Sequence, residues 1–217
     1  MNPRPLKSKL LAWLPSAAVL VRQSDSTNTL YLTFDDGPDP EHTPGVLDLL
    51  REHDALATFF VIGQQAKQHP ELVRRIVAEG HALGSHSWCH QGFGSRSLMR
   101  QLGEIRRTDR LLQDFDGRQG HDFRPPSGQL PLSLLLALVR MRTRVAYWSY
   151  DSMDYRRLGA NWMLALFDRA PLRSGDVLLL HDDADDVRQM LAVALPRWKA
   201  QGWRFEALPR VDSRATE

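Results

Sequence analysis

The stretch that decides the fold is Thr29-Leu30-Tyr31-Leu32-Thr33-Phe34, which is followed at once by Asp35-Asp36-Gly37-Pro38. This continuous run of apolar and β-branched side chains predicts a strand that is buried on both faces. The Asp-Gly-Pro sequence stops the strand in a turn. Two carboxylates therefore stand at the end of a buried strand, where the active sites of α/β barrels lie.

Strands and helices alternate along the rest of the chain. Further strands are predicted at residues 57–62, 81–85, 121–124, 144–149, 177–180 and 203–207. Helices are predicted at residues 43–52, 70–79, 97–115, 131–140, 161–170 and 187–200. Continuous apolar strands joined by helices favour a parallel sheet that helices cover on both faces.

A closed barrel and an open doubly wound sheet both fit this alternation. The polar residues decide between them, because they follow five different strands. In an open sheet, with strands about 4.8 Å apart, these strand ends would spread over roughly 20 Å. A metal needs its ligands within about 2 Å. We therefore predict an α/β fold, a distorted (β/α)7 barrel that is TIM-barrel-like, with parallel strands inside and helices outside.

The chain contains no internal repeat and no linker. We therefore predict one catalytic domain at residues 29–210, preceded by an N-terminal segment at 1–28 and followed by a short tail at 211–217. The net charge of +2, from 28 basic and 26 acidic residues, is too balanced to indicate a nucleic-acid-binding protein. The single cysteine, Cys89, excludes an internal disulfide and fits a reducing compartment.

The N-terminal segment has more than one interpretation. An apolar run at residues 10–21, interrupted by Pro15, is too short to span a bilayer. Basic residues precede it as in a secretory signal, but no clear cleavage site follows. We favour a segment packed on the barrel, or one that lies against a membrane surface through three apolar side chains. These are Leu10, Trp13 and Leu14. A cytoplasmic or inner-membrane-associated location is accordingly favoured over secretion.

The first polar cluster is the acidic pair at the end of the first strand. Asp35 and Asp36 cannot both be buried without a counter-charge. A bound cation resolves this problem, with one carboxylate as its ligand and the other as a base. The alternative interpretation is an ordinary turn, for which Asp-Gly-Pro is well suited.

The second cluster, His86-Ser87-Trp88-Cys89-His90, follows the strand predicted at 81–85. Two histidines four residues apart can bind one metal if the chain between them makes a helical turn. The alternative is a pair of surface histidines. Cys89 would point away from the face that residues i and i+4 share, so we interpret it as a packing residue.

Three weaker clusters follow later strands. Arg124-Pro125-Pro126-Ser127-Gly128 is a rigid path that can hold an arginine against a carboxylate and aim a backbone N–H into a cleft; a plain loop is the alternative. The fourth cluster, residues 148–155, contains Asp154, and the fifth, residues 177–182, is a fully apolar strand followed by His181 and Asp182. His181 is placed to act as a general acid, with Asp154 holding its tautomer. A structural histidine is the alternative.

In this order the five clusters resemble the signature of the polysaccharide deacetylase family, which is also called the NodB homology domain or carbohydrate esterase family 4. The resemblance covers residues 30–208. The T-F-D-D-G and H-S-x-x-H elements are specific to that family. The R-x-P-x-G, D-S-x-D-aromatic and V-x-L-x-H elements are weak singly, but their order makes coincidence an insufficient explanation.

The resemblance implies a metal-dependent hydrolase that removes N-acetyl groups from amino sugars of a polysaccharide, oligosaccharide or glycolipid, by attack of a metal-bound water. It implies that Asp36, His86 and His90 bind a divalent metal, commonly Zn²⁺, with Co²⁺, Ni²⁺ or Mn²⁺ as other candidates. The implied catalytic residues are Asp35 as base, His181 as acid, Arg124, which orients Asp35, and Asp154, which tunes His181. The implied substrate-binding residues are Pro126, Ser127, Tyr155 and Leu179.

Two positions depart from the family pattern. Ser127 stands where the family often has tyrosine, which leaves a backbone N–H donor to an oxyanion intact. Tyr155 replaces a common tryptophan and would reshape the acetyl pocket. Two other functions stay open, an O-acetyl esterase or other amide hydrolase, and a non-catalytic sugar-binding module. The presence of every implied ligand, base and acid argues against the binding module.

Overall fold

Buried apolar strands form a parallel sheet with helices around it. The computed structural model describes residues 2–24 and 27–209, so the predicted tail at 211–217 lies outside the described residues. The strands are β1 (Val19–Leu20), β2 (Thr29–Asp35), β3 (Ala57–Val61), β4 (Ala82–Ser85), β5 (Val145–Ala146), β6 (Tyr150–Asp151), β7 (Val177–His181) and β8 (Arg204–Phe205). The helices are α1 (Leu6–Leu11), α2 (Thr43–Glu52), α3 (Gly63–Gln68), α4 (Pro70–Ala78), α5 (Leu98–Asp116), α6 (Leu132–Arg140), α7 (Ala160–Arg169) and α8 (Asp185–Ala200).

Strand β2 lies at the centre of the sheet. It pairs in parallel with β3 on one side and β7 on the other, in the order β4-β3-β2-β7-β6. Every residue of β2 is buried, as the apolar sequence predicts for a strand covered on both faces. Strand β8, the last of the predicted strands, lies off this order and pairs with the first residues of β2.

Single-residue bridges continue the pairing beyond β4. Ser85 pairs in parallel with Phe123, and Phe123 pairs with Val145 of β5. The chain then reaches β6, which pairs with β7. The strands thus follow an irregular ring, consistent with the distorted barrel expected from the sequence. The strand predicted at 121–124 shrinks to one bridge, because prolines follow Arg124 and cannot donate hydrogen bonds to a neighbouring strand.

The predicted helices are all present, and α2 has the predicted bounds. Helix α3 is not in the prediction. Its sequence, GQQAKQ, buries only Gly63 and Ala66, so it carries no apolar stripe that a sequence pattern could show. Helix α1 was also not predicted as a helix. None of the described helices is long and apolar enough to cross a membrane.

The alternation of β2 decides which way the acidic pair faces. Leu32 and Phe34 belong to the apolar cluster that includes residues of α2 and α8. Tyr31 belongs to the second cluster, which also includes Phe123. Since alternate residues of a strand share a face, Asp35 lies on the side of Tyr31. The first acid therefore points into the ring of strands.

The N-terminal segment packs on the sheet. Strand β1 pairs in parallel with β5. Arg4 makes a bidentate ion pair with the buried Asp176, at 2.9 and 2.8 Å. Lys7 donates a hydrogen bond to the carbonyl oxygen of Gly128. These contacts attach the N-terminal segment to the sheet and to the segment that carries Ser127.

Candidate active site

The polar residues singled out in the sequence meet at the carboxyl edge of the strands. Asp35 and His181 are paired residues of neighbouring strands, β2 and β7. His86 follows β4 directly, and Arg124 follows the Phe123 bridge. Parallel strands end at the same edge of a sheet, so residues from distant parts of the chain converge there.

Asp36, His86 and His90 form one compact cluster. The Oδ1 atom of Asp36 lies 3.4 Å from Nε2 of His86 and 3.6 Å from Nε2 of His90. One ligand atom from each residue lies within 4.8 Å of the other two. Two ligands of a tetrahedral ion, each at about 2.0–2.1 Å from it, stand about 3.3 Å apart. These spacings match an ion held among the three side chains.

The protonation and hydrogen bonding of this cluster also suit a cation. Burial lowers the pKa of His86 to about 3, so its imidazole is neutral and its Nε2 lone pair is free to ligate. Its Nδ1 donates to the carbonyl oxygen of Arg124 at 2.8 Å, which fixes the ring. The Oδ1 atom of Asp36 is buried without a hydrogen-bond partner among the described residues. A divalent cation would satisfy that oxygen.

The chain between His86 and His90 does not make the helical turn that we took as the condition for both histidines to bind one metal. The chain between them is irregular, and Ser87 takes a left-handed conformation with φ 67°. Backbone N–H groups of Gly63 and Gln64, at the start of α3, donate to the carbonyl oxygens of residues 87 and 88. A neighbouring helix therefore holds the loop, and the histidines meet without helical spacing. Cys89 is half-buried and lies outside the cluster of Asp36, His86 and His90.

Asp35 is held by a buried arginine. The Nη1 atom of Arg124 donates to Oδ1 of Asp35 at 2.8 Å and to Oγ1 of Thr33 at 2.7 Å. Its other nitrogens donate to the carbonyl oxygens of Ala146 and Tyr147. Burial raises the pKa of Asp35, and the positive charge of Arg124 opposes that rise. The arginine thus fixes one carboxylate oxygen and leaves the second for another partner.

His181 is held by a buried carboxylate. Its Nδ1 lies 2.9 Å from Oδ1 of Asp154, and its backbone N–H donates to Oδ2 of Asp154 at 2.7 Å. The hydroxyl of Ser152 also donates to Oδ1 of Asp154. Burial alone would lower the pKa of His181, but the hydrogen bond and charge of Asp154 outweigh it and raise the pKa to about 10. With Nδ1 engaged, Nε2 is the nitrogen left for proton transfer.

A comparison with known proteins agrees with this geometry. Residues 22–146 match the family model described as polysaccharide deacetylase, and that match covers more than half of the chain. The chain belongs to the polysaccharide deacetylase family. The resemblance expected from the sequence motifs is thereby confirmed.

Among relatives of this deacetylase-family chain is a chitooligosaccharide deacetylase of Azorhizobium caulinodans, 34% identical over 87% of this chain and 96% of that protein. The peptidoglycan-N-acetylglucosamine deacetylase PgdA of Listeria monocytogenes is 34% identical over 94% of this chain and 45% of that protein. This chain thus spans about half the length of PgdA. A solved structure, the Bc1960 peptidoglycan N-acetylglucosamine deacetylase with a hydroxamate ligand, superposes with a TM-score of 0.83 at 29% identity, covering 91% of this chain and 94% of that one.

The four residues expected to contact substrate differ in exposure in this deacetylase-family chain. Tyr155 is 54% exposed, and its ring meets the ring of His181 edge-on, with centroids 6.1 Å apart. Ser127 is exposed and left-handed, with φ 51°. Pro126 and Leu179 are buried. Two of the four therefore present accessible groups, and the other two are buried.

One buried carboxyl next to the site has no role in the sequence prediction. Asp182 follows His181 and is fully buried, and burial raises its pKa to about 7. The hydroxyl of Thr43, in the first turn of α2, donates to its Oδ2. A Cβ atom added to Gly37 would collide with the same carboxyl group. Asp182 thus supports the turn that carries Asp36. The sequence feature that could have indicated this residue is an acidic side chain just after a buried strand.

Proposed function

We propose that this chain is a metal-dependent hydrolase that removes N-acetyl groups from amino sugars of a polysaccharide, oligosaccharide or glycolipid. The observation that carries the proposal is one cluster of metal-ligand type flanked by an arginine-paired carboxylate and a carboxylate-paired histidine. The names of the relatives support the substrate class, since they act on N-acetylglucosamine in peptidoglycan or on chitooligosaccharides.

Asp36, His86 and His90 would hold the metal, for which we propose zinc. Two imidazoles and one carboxylate suit that ion, and open coordination positions are typical of catalytic zinc sites. When bound, the ion supplies a Lewis acid that acidifies water and polarises an amide carbonyl. Co²⁺, Ni²⁺ and Mn²⁺ accept the same ligand types and are the ions to compare.

Asp35 is the proposed general base. Arg124 fixes its Oδ1, so its Oδ2 is the oxygen left to take a proton from the attacking water. That oxygen lies 3.9 Å from Nε2 of His86, beside the metal-ligand cluster. The positive charge of Arg124 also opposes the rise that burial causes in the pKa of Asp35, and its hydrogen bond holds the carboxylate in one orientation, which a base needs before reaction.

His181 is the proposed general acid. Asp154 holds its Nδ1 and raises its pKa to about 10, so the ring carries a proton at neutral pH. It would pass the Nε2 proton to the leaving nitrogen, which releases acetate and a free amino sugar. We further propose that the Ser127 N–H stabilises the oxyanion and that Leu179 and Tyr155 contact the acetyl methyl.

The test is acetate release from a panel of sugars with the zinc-loaded full chain, with and without a chelator. The panel holds N-acetylated chitooligosaccharides, N-acetylated glycolipids and O-acetylated sugars. We expect release from an N-acetyl substrate, and loss of that release with chelator. We expect Asp35→Asn and His181→Ala each to lower kcat by about 10² to 10⁴-fold. His53→Gln, at the far end of α2, is the matched histidine control and should retain the rate.

Other outcomes assign a different function. Release from O-acetyl sugars alone would make the chain an esterase. Sugar binding without release from any amide or ester would favour the binding module. Rates in Asp35→Asn and His181→Ala that equal the unaltered protein would remove both residues from the mechanism.

A further inference from the structure

The first turns of the chain expose large apolar side chains. Leu6 is 72% exposed, Leu10 is 63% exposed and Trp13 is 89% exposed. They stand at positions i, i+4 and i+7, so within and just beyond α1 they follow one helical stripe. The stripe faces away from Leu11, which packs against the apolar cluster around Phe123. An apolar stripe of this kind without a partner marks an interaction surface.

Helix α6 carries a second stripe with the same spacing. Leu132, Leu136 and Val139 are exposed at positions i, i+4 and i+7. On its other face, Leu134 and Leu138 are buried in the apolar cluster against which Leu11 of α1 packs. Both helices thus cover one side of the ring of strands and present apolar faces outward. We call these two exposed faces together the docking surface.

The charge around the docking surface is positive. Residues 2–24 contain four basic and no acidic residues, and residues 131–150 contain three basic and no acidic residues, although the whole chain carries only +2. The other parts of the chain therefore carry a net negative charge. Lys9, Arg140 and Arg142 are exposed, and no ion pair joins them to an acid within residues 2–24 and 27–209. The apolar stripes thus have a basic rim.

The docking surface is fixed beside the candidate active site. Lys7 donates to the carbonyl oxygen of Gly128, the residue after Ser127. The backbone N–H of Asp151 donates to the carbonyl oxygen of Pro3 at 2.7 Å. Gly128 follows Arg124 by four residues, and Asp151 is the last residue of β6, so both lie near the carboxyl edge of the sheet, where Arg124 and Asp154 belong to the candidate site. A partner on the docking surface is therefore held next to that edge.

We propose that the docking surface binds an anionic lipid bilayer and holds the candidate active site at the membrane surface. Leucine and tryptophan side chains with a rim of lysine and arginine are what an anionic bilayer interface recognises. A second copy of this chain fits less well, since a symmetric interface would place two basic rims against each other. Binding itself does not rest on the proposed function. Only its consequence does, namely that the acetylated sugar is presented by a membrane lipid.

The test is co-sedimentation of the full chain with vesicles of phosphatidylcholine alone or mixed with phosphatidylglycerol. We expect binding to the anionic vesicles that weakens at high salt. Leu10→Glu and Trp13→Glu should each weaken it about tenfold or more, since each removes a large side chain from the interface. Lys9→Gln and Arg140→Gln should each weaken it about fivefold.

Matched controls use exposed apolar residues on other helices. Met99→Glu on α5 and Val193→Glu on α8 should leave binding unchanged. Thermal unfolding should show that all these variants fold, since each changed side chain is exposed. Acetate release from a soluble substrate should not change in Leu10→Glu, which separates failed docking from failed catalysis. No vesicle binding, equal binding of all variants, or a dimer that Trp13→Glu dissociates would overturn the proposal.

Discussion

The two halves of the candidate site differ in how their buried polar atoms are satisfied. On one side, Asp154 accepts hydrogen bonds from the ring and backbone of His181, so both groups have partners inside the protein. On the other side, the Oδ1 atom of Asp36 is buried between two imidazoles and has no hydrogen-bond donor among the described residues. The fold alone completes the first half, whereas the second half calls for a cation.

The same difference holds for two adjacent residues. Oδ1 of Asp35 accepts a hydrogen bond from Arg124, whereas Oδ1 of Asp36 has no donor among the described residues. Successive side chains of an extended strand point to opposite faces. Asp36 leaves the strand in the left-handed region, with φ 74°, and this breaks the alternation. Both carboxylates can therefore serve one site, the first against Arg124 and the second against the histidines. A left-handed residue other than glycine costs about 1 kcal/mol or more, and such strain is typical of functional sites.

The largest expected effect is that of a metal ion on the free energy of unfolding, through the half of the site that contains Asp36, His86 and His90. At a free Zn²⁺ concentration about ten-thousandfold above Kd, binding to the native state stabilises it by about 5.5 kcal/mol. We expect this stabilisation to be lost in His90→Ala, whose side chain is partly exposed and whose removal leaves the core intact. Thermal unfolding with and without Zn²⁺, together with metal content, measures it. An equal shift in His90→Ala and in His53→Gln would contradict the metal site.

The next effect concerns the buried ion pair of Arg124 and Asp35, two groups that have partners inside the protein. Arg124→Met leaves Asp35 buried without its counter-charge and should lower the free energy of unfolding by about 3–5 kcal/mol. The loss should be the same with and without Zn²⁺. Adding Asp35→Asn should recover part of it, because the uncompensated charge is gone. Urea unfolding of the single and double variants measures this, and a double variant no more stable than Arg124→Met would count against the pair.

The sequence predicted the regular elements well, because buried strands and amphipathic helices leave periodic patterns. The bounds of α2 and the buried strand β2 came from such patterns. The motifs that resemble the family also singled out Asp36, His86 and His90, whose ligand atoms lie within 4.8 Å of one another in the structure. What they could not supply was the path of the chain between elements. The loop after His86 depends on backbone hydrogen bonds from α3, which had no apolar stripe to reveal it.

The sequence also did not predict the contacts between polar groups that are far apart in the chain. Nothing local in the sequence indicates that Thr43 and Gly37 meet at the carboxyl group of Asp182. Likewise, the ion pair of Arg4 with Asp176 joins residues that are far apart in the chain. Such contacts follow from the arrangement of whole elements, so periodicity and turn chemistry do not encode them.

The smallest expected effect is a dependence of the free energy of unfolding on pH, which comes from the pair of Asp154 and His181. Because the folded pKa of His181 is about 10, above the ordinary 6.5, its stabilisation is fully present below pH 6.5 and is lost as the pH rises towards 10. In Asp154→Asn, measured with chelator, the free energy of unfolding should fall less over that range. His121, whose pKa is also raised because Asp109 and Asp116 outweigh its burial, contributes equally to both proteins and cancels. Parallel curves for the two proteins would show that Asp154 does not hold the proton on His181.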